Sequence, residues 1–136
     1  MNTQLAISPD QIRSTVQQYF QASQSDDPVE AMVACFAPDS VNYDPAEGAA
    51  LRGHDQLRQF FRQIADRFVT IGLQAEFISI NGNEAAVKWI GQGISTMGRS
   101  VKFEGIDLFE FNTAGKIQSM RAYWNPGAML AELEQP

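Results

Sequence analysis

Apolar residues recur along this chain with two different periods, and the change from one to the other falls near residue 69. Before it the spacing is helical. Ser8-Pro9-Asp10-Gln11 opens the first periodic segment. A serine at the cap, a proline at the first helical position and a glutamine at the third together satisfy or replace the free amides of a helix start. Ile12, Val16, Tyr19 and Phe20 then share one face, which predicts a helix to about Ser25 with Tyr19 turned inward. Asp27-Pro28-Val29-Glu30 repeats the start, and Val29, Met32, Val33 and Phe36 form the inner stripe of a shorter second helix. Val41 to Asp44 reads as a short strand closed by Pro45. A third helix is predicted over about Asp55 to Phe68, with Leu57, Phe60, Phe61, Ile64 and Phe68 facing inward.

From Val69 onward the alternation is that of strands. Asn81-Gly82 is a strong hairpin signal, and Met97-Gly98 and Ala114-Gly115 mark two further reversals. Four antiparallel strands are predicted, at about 70–80, 84–96, 100–111 and 116–125, with a tail beyond Pro126 lying over the surface. Three helices followed by a twisted meander give an α+β layer architecture, with the helices on one face of a curved sheet. No linker or repeat divides the chain, so residues 1–136 are expected to form one domain, with an apolar pocket at the open end of the sheet.

Composition narrows the function classes. Hydrophobic residues make up 44% and charged ones 19%, enough apolar material for a packed core. The net charge is −6 and the ten basic residues are scattered, which argues against a nucleic-acid surface. One cysteine and one histidine cannot supply a zinc site, and Cys35, inside an apolar run, reads as a buried thiol. No stretch approaches the ~20 apolar residues of a membrane span. Met1 to Asp10 lacks the basic and apolar regions of a secretory signal, so the default expectation is cytoplasmic.

The most informative segment for chemistry is Phe103-Glu104-Gly105-Ile106-Asp107-Leu108-Phe109-Glu110-Phe111. Alternation places Asp107 on one face with Phe103, Gly105, Phe109 and Phe111, and no Lys or Arg shares that face. Burial would raise the pKa of such a carboxyl, leaving it neutral and able to donate. The alternative is that Asp107 meets a backbone amide or a distant arginine. On the next strand, Met120, Ala122 and Trp124 form an apolar stripe, with Ile117, Ser119, Arg121 and Tyr123 opposite. Asp44 before Pro45 reads alone as a turn residue, and Tyr19 alone as core. His54, at a helix start, suits capping. Arg52 and Arg121 could each pair with an aspartate, but Arg121 points away from Asp107 by alternation.

Taken together these positions form a pattern. Tyr19 in Val-Gln-Gln-Tyr-Phe, Asp44 in Tyr-Asp-Pro, Asp107 in Gly-Ile-Asp-Leu-Phe and the segment Gly115 to Trp124 resemble the bacterial steroid Δ5-3-ketoisomerases. The resemblance runs from Gln11 to Trp124 in the same order and with similar spacing. It implies the nuclear transport factor two-like cone fold, a curved mixed or antiparallel sheet wrapped around three N-terminal helices. It further implies Asp44 as the base, Tyr19 and protonated Asp107 as donors to an enolate oxygen, and no metal or organic cofactor. A hydrophobic wall of Phe60, Phe61, Trp89, Phe103, Phe109, Met120 and Trp124 would hold a steroid-like ketone. A homodimer joined through the exposed sheet face of Ile106, Leu108 and Tyr123 would be the assembly. Some members of the family brace the tyrosine with further tyrosines where this chain has Phe36 and Phe61. The fold also hosts polyketide cyclases, epoxide hydrolases and non-catalytic binders, so a cyclase or a lipophile-binding dimer is the alternative.

Overall fold

The first helix begins as its sequence dictates. In the computed structural model, which describes residues 7–135, α1 (Pro9–Ala22) opens with Ser8 Oγ accepting from the Gln11 amide at 3.1 Å. Gln11 Oε1 in turn accepts from the Ser8 amide at 2.9 Å. The reading of residues 1–10 as lacking a secretory start rests largely on residues 1–6, outside those described. α1 ends at Ala22, before Ser25, because the Ser23 and Ser25 hydroxyls donate to the carbonyls of Phe20 and Ala22.

The second helix is shorter than its apolar stripe predicts. α2 (Pro28–Val33) stops before Phe36, which starts strand β1 (Phe36–Tyr43). Pro38 disfavours a helical residue before it, and the Ile117 amide donates to the Cys35 carbonyl at 2.9 Å, drawing the chain into the sheet. The two-residue β2 (Leu51–Arg52) pairs with β1 and leads into α3 (Gly53–Ala65). Phe68, expected at the end of that helix, instead opens β3 (Phe68–Asn81).

The remaining strands are β4 (Glu84–Ser95), β5 (Ser100–Phe111) and β6 (Ile117–Tyr123). Gly82 takes the first central position of the β3–β4 turn with φ +62°, so the turn is Gly82-Asn83, one residue later than the sequence signal. The sheet order is β2-β1-β6-β5-β4-β3. Its neighbours are antiparallel except β1 and β6, which run parallel, so the sheet is mixed. That one parallel contact joins the N-terminal strand β1 to the C-terminal strand β6, just inside the edge strand β2.

Two further expectations are corrected. Ile117 was placed outward with Tyr123, but it is fully buried. Glu110 pairs with Ser119 while Phe111 pairs with Ile117, so Gln118 is an extra residue and the bulge rotates Ile117 inward. The segment after Pro126 is not a surface tail. It forms α4 (Pro126–Leu133), started by Asn125 Oδ1 accepting from the Ala128 amide at 3.0 Å. Met129 from this helix is 1% exposed and packs with Phe68 and Val101, closing one end of the sheet. Asn-Pro is the same kind of start signal as Ser-Pro at α1. No helix among the described residues is long and apolar enough to cross a membrane.

The main core lies between α1, α2, α3 and the inner sheet face, with Tyr19, Phe36, Leu57, Val87, Phe109 and Met120 at its centre. On that face Gly105 is a tight point. A Cβ there would lie 2.6 Å from Trp89 Cζ2, 2.7 Å from the Tyr123 carbonyl oxygen and 2.8 Å from Trp124 Cβ. The carbonyl belongs to the ladder and cannot retreat. Gly105→Ala is therefore expected to destabilise the protein by about 1–3 kcal/mol, the usual cost of overpacking. Urea unfolding of the variant beside the wild type measures this, and an unchanged midpoint would mean that the indoles yield freely.

Candidate active site

Three polar side chains reach one apolar pocket from three different elements. Tyr19 comes from the inner face of α1. Its ring meets Phe20, Phe36 and Phe109 edge-on, at centroid distances of 5.1, 5.7 and 5.5 Å. These contacts hold the ring without touching the hydroxyl. The hydroxyl lies 3.8 Å from Met120 Sδ, a weak acceptor. Burial, and then the nearby acidic side chains of Asp107 and Asp44, keep the phenol well above its ordinary pKa, so it retains its proton.

Asp44 follows directly after β1, where the parallel pairing with β6 brings it beside Trp124. The Trp124 Nε1–H donates to Asp44 Oδ1 at 2.6 Å. Protein packs densely around this carboxyl, yet part of its surface stays open to the pocket. Burial raises its pKa to about 7, and the indole bond pulls the other way.

Asp107 is on β5, directly opposite Val87 and Ala122 on the flanking strands, and is 2% exposed. Burial pushes its pKa well above the carboxylate range, and the negative charge of Asp44 pushes it the same way. The Trp89 indole is near enough to oppose this weakly, but it makes no well-formed hydrogen bond to the carboxyl. Trp89 Nε1 is one of the buried polar atoms left without a partner among the described residues. No lysine, arginine or histidine among the pocket-lining residues opposes that shift.

The pocket holds about 640 Å³ of space, including open solvent at its mouth. Its walls are largely apolar. Tyr19, Asp44, Asp107, Phe60, Phe61, Trp89, Phe103 and Trp124, all expected from the sequence, line it together. Phe109 and Met120 do not. They are fully buried behind the Tyr19 ring and support it from below. The opposite wall, Val29 and Met32 of α2 with Ile71 and Leu73 of β3, was missed. Val29 and Met32 were legible as an inner stripe. β3 carries no clean alternation that would have marked its two residues.

Trp124 as a donor to Asp44 was also missed, because only the parallel β1–β6 pairing makes them neighbours. The other polar candidates are elsewhere. His54 Nε2 lies 2.8 Å from the Phe36 carbonyl, so it ties α3 to β1 instead of capping its own helix. The Arg121 guanidinium stacks over the Tyr43 ring at 4.5 Å, on the outer side, and Arg52 is exposed on β2. Cys35 is buried, and burial lifts its thiol to about 11. Phe36 packs against Tyr19 and Phe61 against Phe36, so neither position offers a hydroxyl to brace the tyrosine.

Chemically, the arrangement sets a carboxyl raised to about 7 beside a second carboxyl and a phenol that burial shifts toward their neutral forms. Such a set of groups suits proton abstraction next to an oxygen that gains negative charge.

Known proteins share both chain and fold. A steroid Delta-isomerase of Nocardioides simplex is 29% identical over 122 residues, covering 88% of this chain and 94% of that protein. A putative SnoaL-like polyketide cyclase from Jannaschia sp. CCS1 has a similar structure, with a TM-score of 0.80 at 18% identity over 96% of this chain and 97% of its own. An M. tuberculosis LEH-like epoxide hydrolase superposes with a TM-score of 0.72 at 20% identity, covering 91% and 90% of the two chains. At these identities the two structures speak for the fold alone, a curved-sheet α+β cone. The model of the SnoaL-like domain matches residues 16–120, a span that takes in Tyr19, Asp44 and Asp107, and the chain belongs to that family.

Proposed function

We propose that this chain is an isomerase that moves a double bond in a steroid-like or other hydrophobic 3-oxo substrate. The observation that carries the reading is geometric: Asp44, Asp107 and Tyr19 face one apolar pocket whose lining holds no cation, so burial raises both carboxyls. The similarity to a steroid Delta-isomerase supports it.

In the proposed reaction, ionised Asp44 removes a proton from the carbon between the ketone and the isolated double bond. The C–H electron pair moves into a dienolate whose oxygen receives hydrogen bonds from Tyr19 and protonated Asp107. Asp44 then returns its proton to the far carbon of the dienolate, and the product is the conjugated enone. Every proton removed is put back, so no redox partner is required. A polyketide cyclase would use the same base on a different substrate, and a lipophile-binding protein would bind without turnover. The discriminating assay is the ultraviolet absorbance of a conjugated enone formed from an unconjugated steroid ketone. Growth of that absorbance supports the isomerase, whereas ring closure of an aromatic polyketide without it supports the cyclase.

Asp44→Asn is expected to lower kcat by about 10²–10⁴-fold while leaving the fold intact, because the step loses its acceptor. In the wild type, kcat/KM should rise as pH passes through about 7, where Asp44 loses its proton. It should fall again at higher pH as Asp107 ionises. A rate that is flat across this range, or an Asn variant as fast as the wild type, would remove Asp44 from the role.

Asp107→Leu should lose about 10²–10³-fold in kcat, the usual effect of deleting one oxyanion donor, whereas Asp107→Asn retains a donor and should lose much less. The same group has a signature in stability. Its folded pKa is raised, so its stabilising contribution is complete below the unfolded carboxylate pKa and is lost as pH rises through the folded value. Asp107→Asn should therefore narrow the difference in urea midpoint between about pH 5 and about pH 8. Equal differences in variant and wild type would show that the carboxyl is not held neutral.

The assembly belongs to the same proposal. Ile106, Leu108 and Tyr123 are 44, 41 and 49% exposed on the outer face of adjacent strands β5 and β6, and a second copy covering them gives a homodimer. Light scattering at micromolar concentration should give twice the chain mass, and a monomer mass would count against this interface.

A further inference from the structure

Trp89 is a tryptophan whose polar edge has no evident task. Its side chain is 3% exposed and lies on the pocket wall, edge-on to Phe103 at 5.9 Å and to Trp124 at 6.0 Å between centroids. Its packing is accounted for by the ring alone, and a phenylalanine would fill most of the same space. The indole N–H is nevertheless buried, and it finds no acceptor among the described residues. An unpaired buried donor is costly unless it serves some state of the protein that supplies the acceptor.

The register shows where that donor is aimed. Trp89 lies directly opposite Gly105, two residues along β5 from Asp107 on the same face. The missing side chain at Gly105 lets the indole lie down on β5, and Cζ2 is the ring atom that occupies the vacated space. Cζ2 is separated from Nε1 by a single ring carbon, so the nitrogen edge is the one turned toward β5. Diagonal pairs of this kind are within reach of an aromatic side chain. The residues directly opposite Asp107, Val87 and Ala122, bring no polar side chain.

Resting on the isomerase reading above, we propose that Trp89 is a positioning residue that decides which oxygen of Asp107 keeps the proton. A neutral carboxyl has one O–H and one bare oxygen, and the two can exchange roles by moving the proton or turning the group. An indole N–H can only donate. The Asp107 oxygen nearest Trp89 must therefore be the bare acceptor, which leaves the O–H on the other oxygen of a side chain that lines the pocket with Tyr19. In the structure this bond is not yet well formed. Trp124 does the complementary service at Asp44, donating to the carboxyl that must begin the reaction ionised. The ionisable groups facing this arrangement are Tyr19 from α1 and Asp44 from the end of β1. No ionisable side chain of α2, α3, β3 or β4 lines the pocket.

The chain contains two tryptophans, so its indole region shows two N–H resonances. Trp89→Phe assigns them by removing one, and Trp124 then serves as the internal reporter of Asp44. The experiment follows both resonances, and the labelled carboxyl carbon of Asp107, against pH in the wild type and in Asp44→Asn. The Trp89 resonance should move with the midpoint of the Asp107 carboxyl and should lose that movement in Asp107→Leu. In Trp89→Phe the Asp107 midpoint should rise, since a donor favouring the ionised form is gone. Catalytically, the same variant should show kcat reduced by roughly fivefold with KM little changed, the worth of one neutral hydrogen bond. A Trp89 resonance indifferent to Asp107, or an Asp107 midpoint unmoved in Trp89→Phe, overturns the proposal. If Trp89→Phe does not fold, the wild-type and Asp107→Leu titrations decide the matter. The resonances require no turnover, so the two readings fail separately. Linked titration without isomerisation defeats only the reaction, and isomerisation without linkage defeats only the role of Trp89.

Discussion

A carboxyl group in the middle of a sheet, facing inward, with no cation to meet it, is the constraint around which this protein is arranged. Ionised and unpaired, Asp107 would cost several kcal/mol. Kept protonated, it becomes a polar group that needs hydrogen-bond partners of the right sense. The aromatic residues of the inner face produce the low polarity that pushes its pKa up. The second carboxyl, Asp44, adds a negative charge that pushes in the same direction. Stability and chemistry are thus set by one condition, and Asp44 meets it differently because it opens on the pocket and receives an indole N–H.

The single parallel pairing in the sheet determines which residues can act together. Antiparallel neighbours in a meander are close in sequence, so a site built from them alone would draw on one stretch of chain. Pairing β1 with β6 sets Asp44 against Trp124, 80 residues away in sequence. The helices then bring Tyr19 over the same ground from the other side. The ends of the sheet are closed by different means, with β2 pairing at one edge and α4 packing Met129 against Phe68 and Val101.

Much of this was legible in the chain. Ser-Pro-Asp-Gln marks where α1 begins, and alternation over 103–111 by itself places Asp107 among aromatics. What was not legible has physical causes. Phe36 satisfies a helical stripe, yet the chain gains more from a strand there because Pro38 cannot extend a helix and β6 offers a partner. Ile117 obeys alternation only up to a bulge, and an extra residue in one strand leaves no mark on hydrophobic periodicity. Phe109 and Met120 have the character of pocket wall and share its face. Whether an apolar residue touches a cavity or lies one layer beneath it depends on what covers it, and here that is Tyr19.

The contact between the Tyr19 hydroxyl and the Met120 sulfur has a consequence for reorganisation on ligand entry. A phenol held by a carbonyl or a carboxylate must surrender a strong bond before it can serve a newcomer, and part of the binding free energy is lost in that exchange. A thioether holds the proton loosely while its bulk fixes the ring from behind. The hydroxyl is therefore oriented yet almost unspent, and an incoming oxygen replaces a poor acceptor with a good one. Through this sulfur, a side chain with negligible polarity of its own makes the donor above it available.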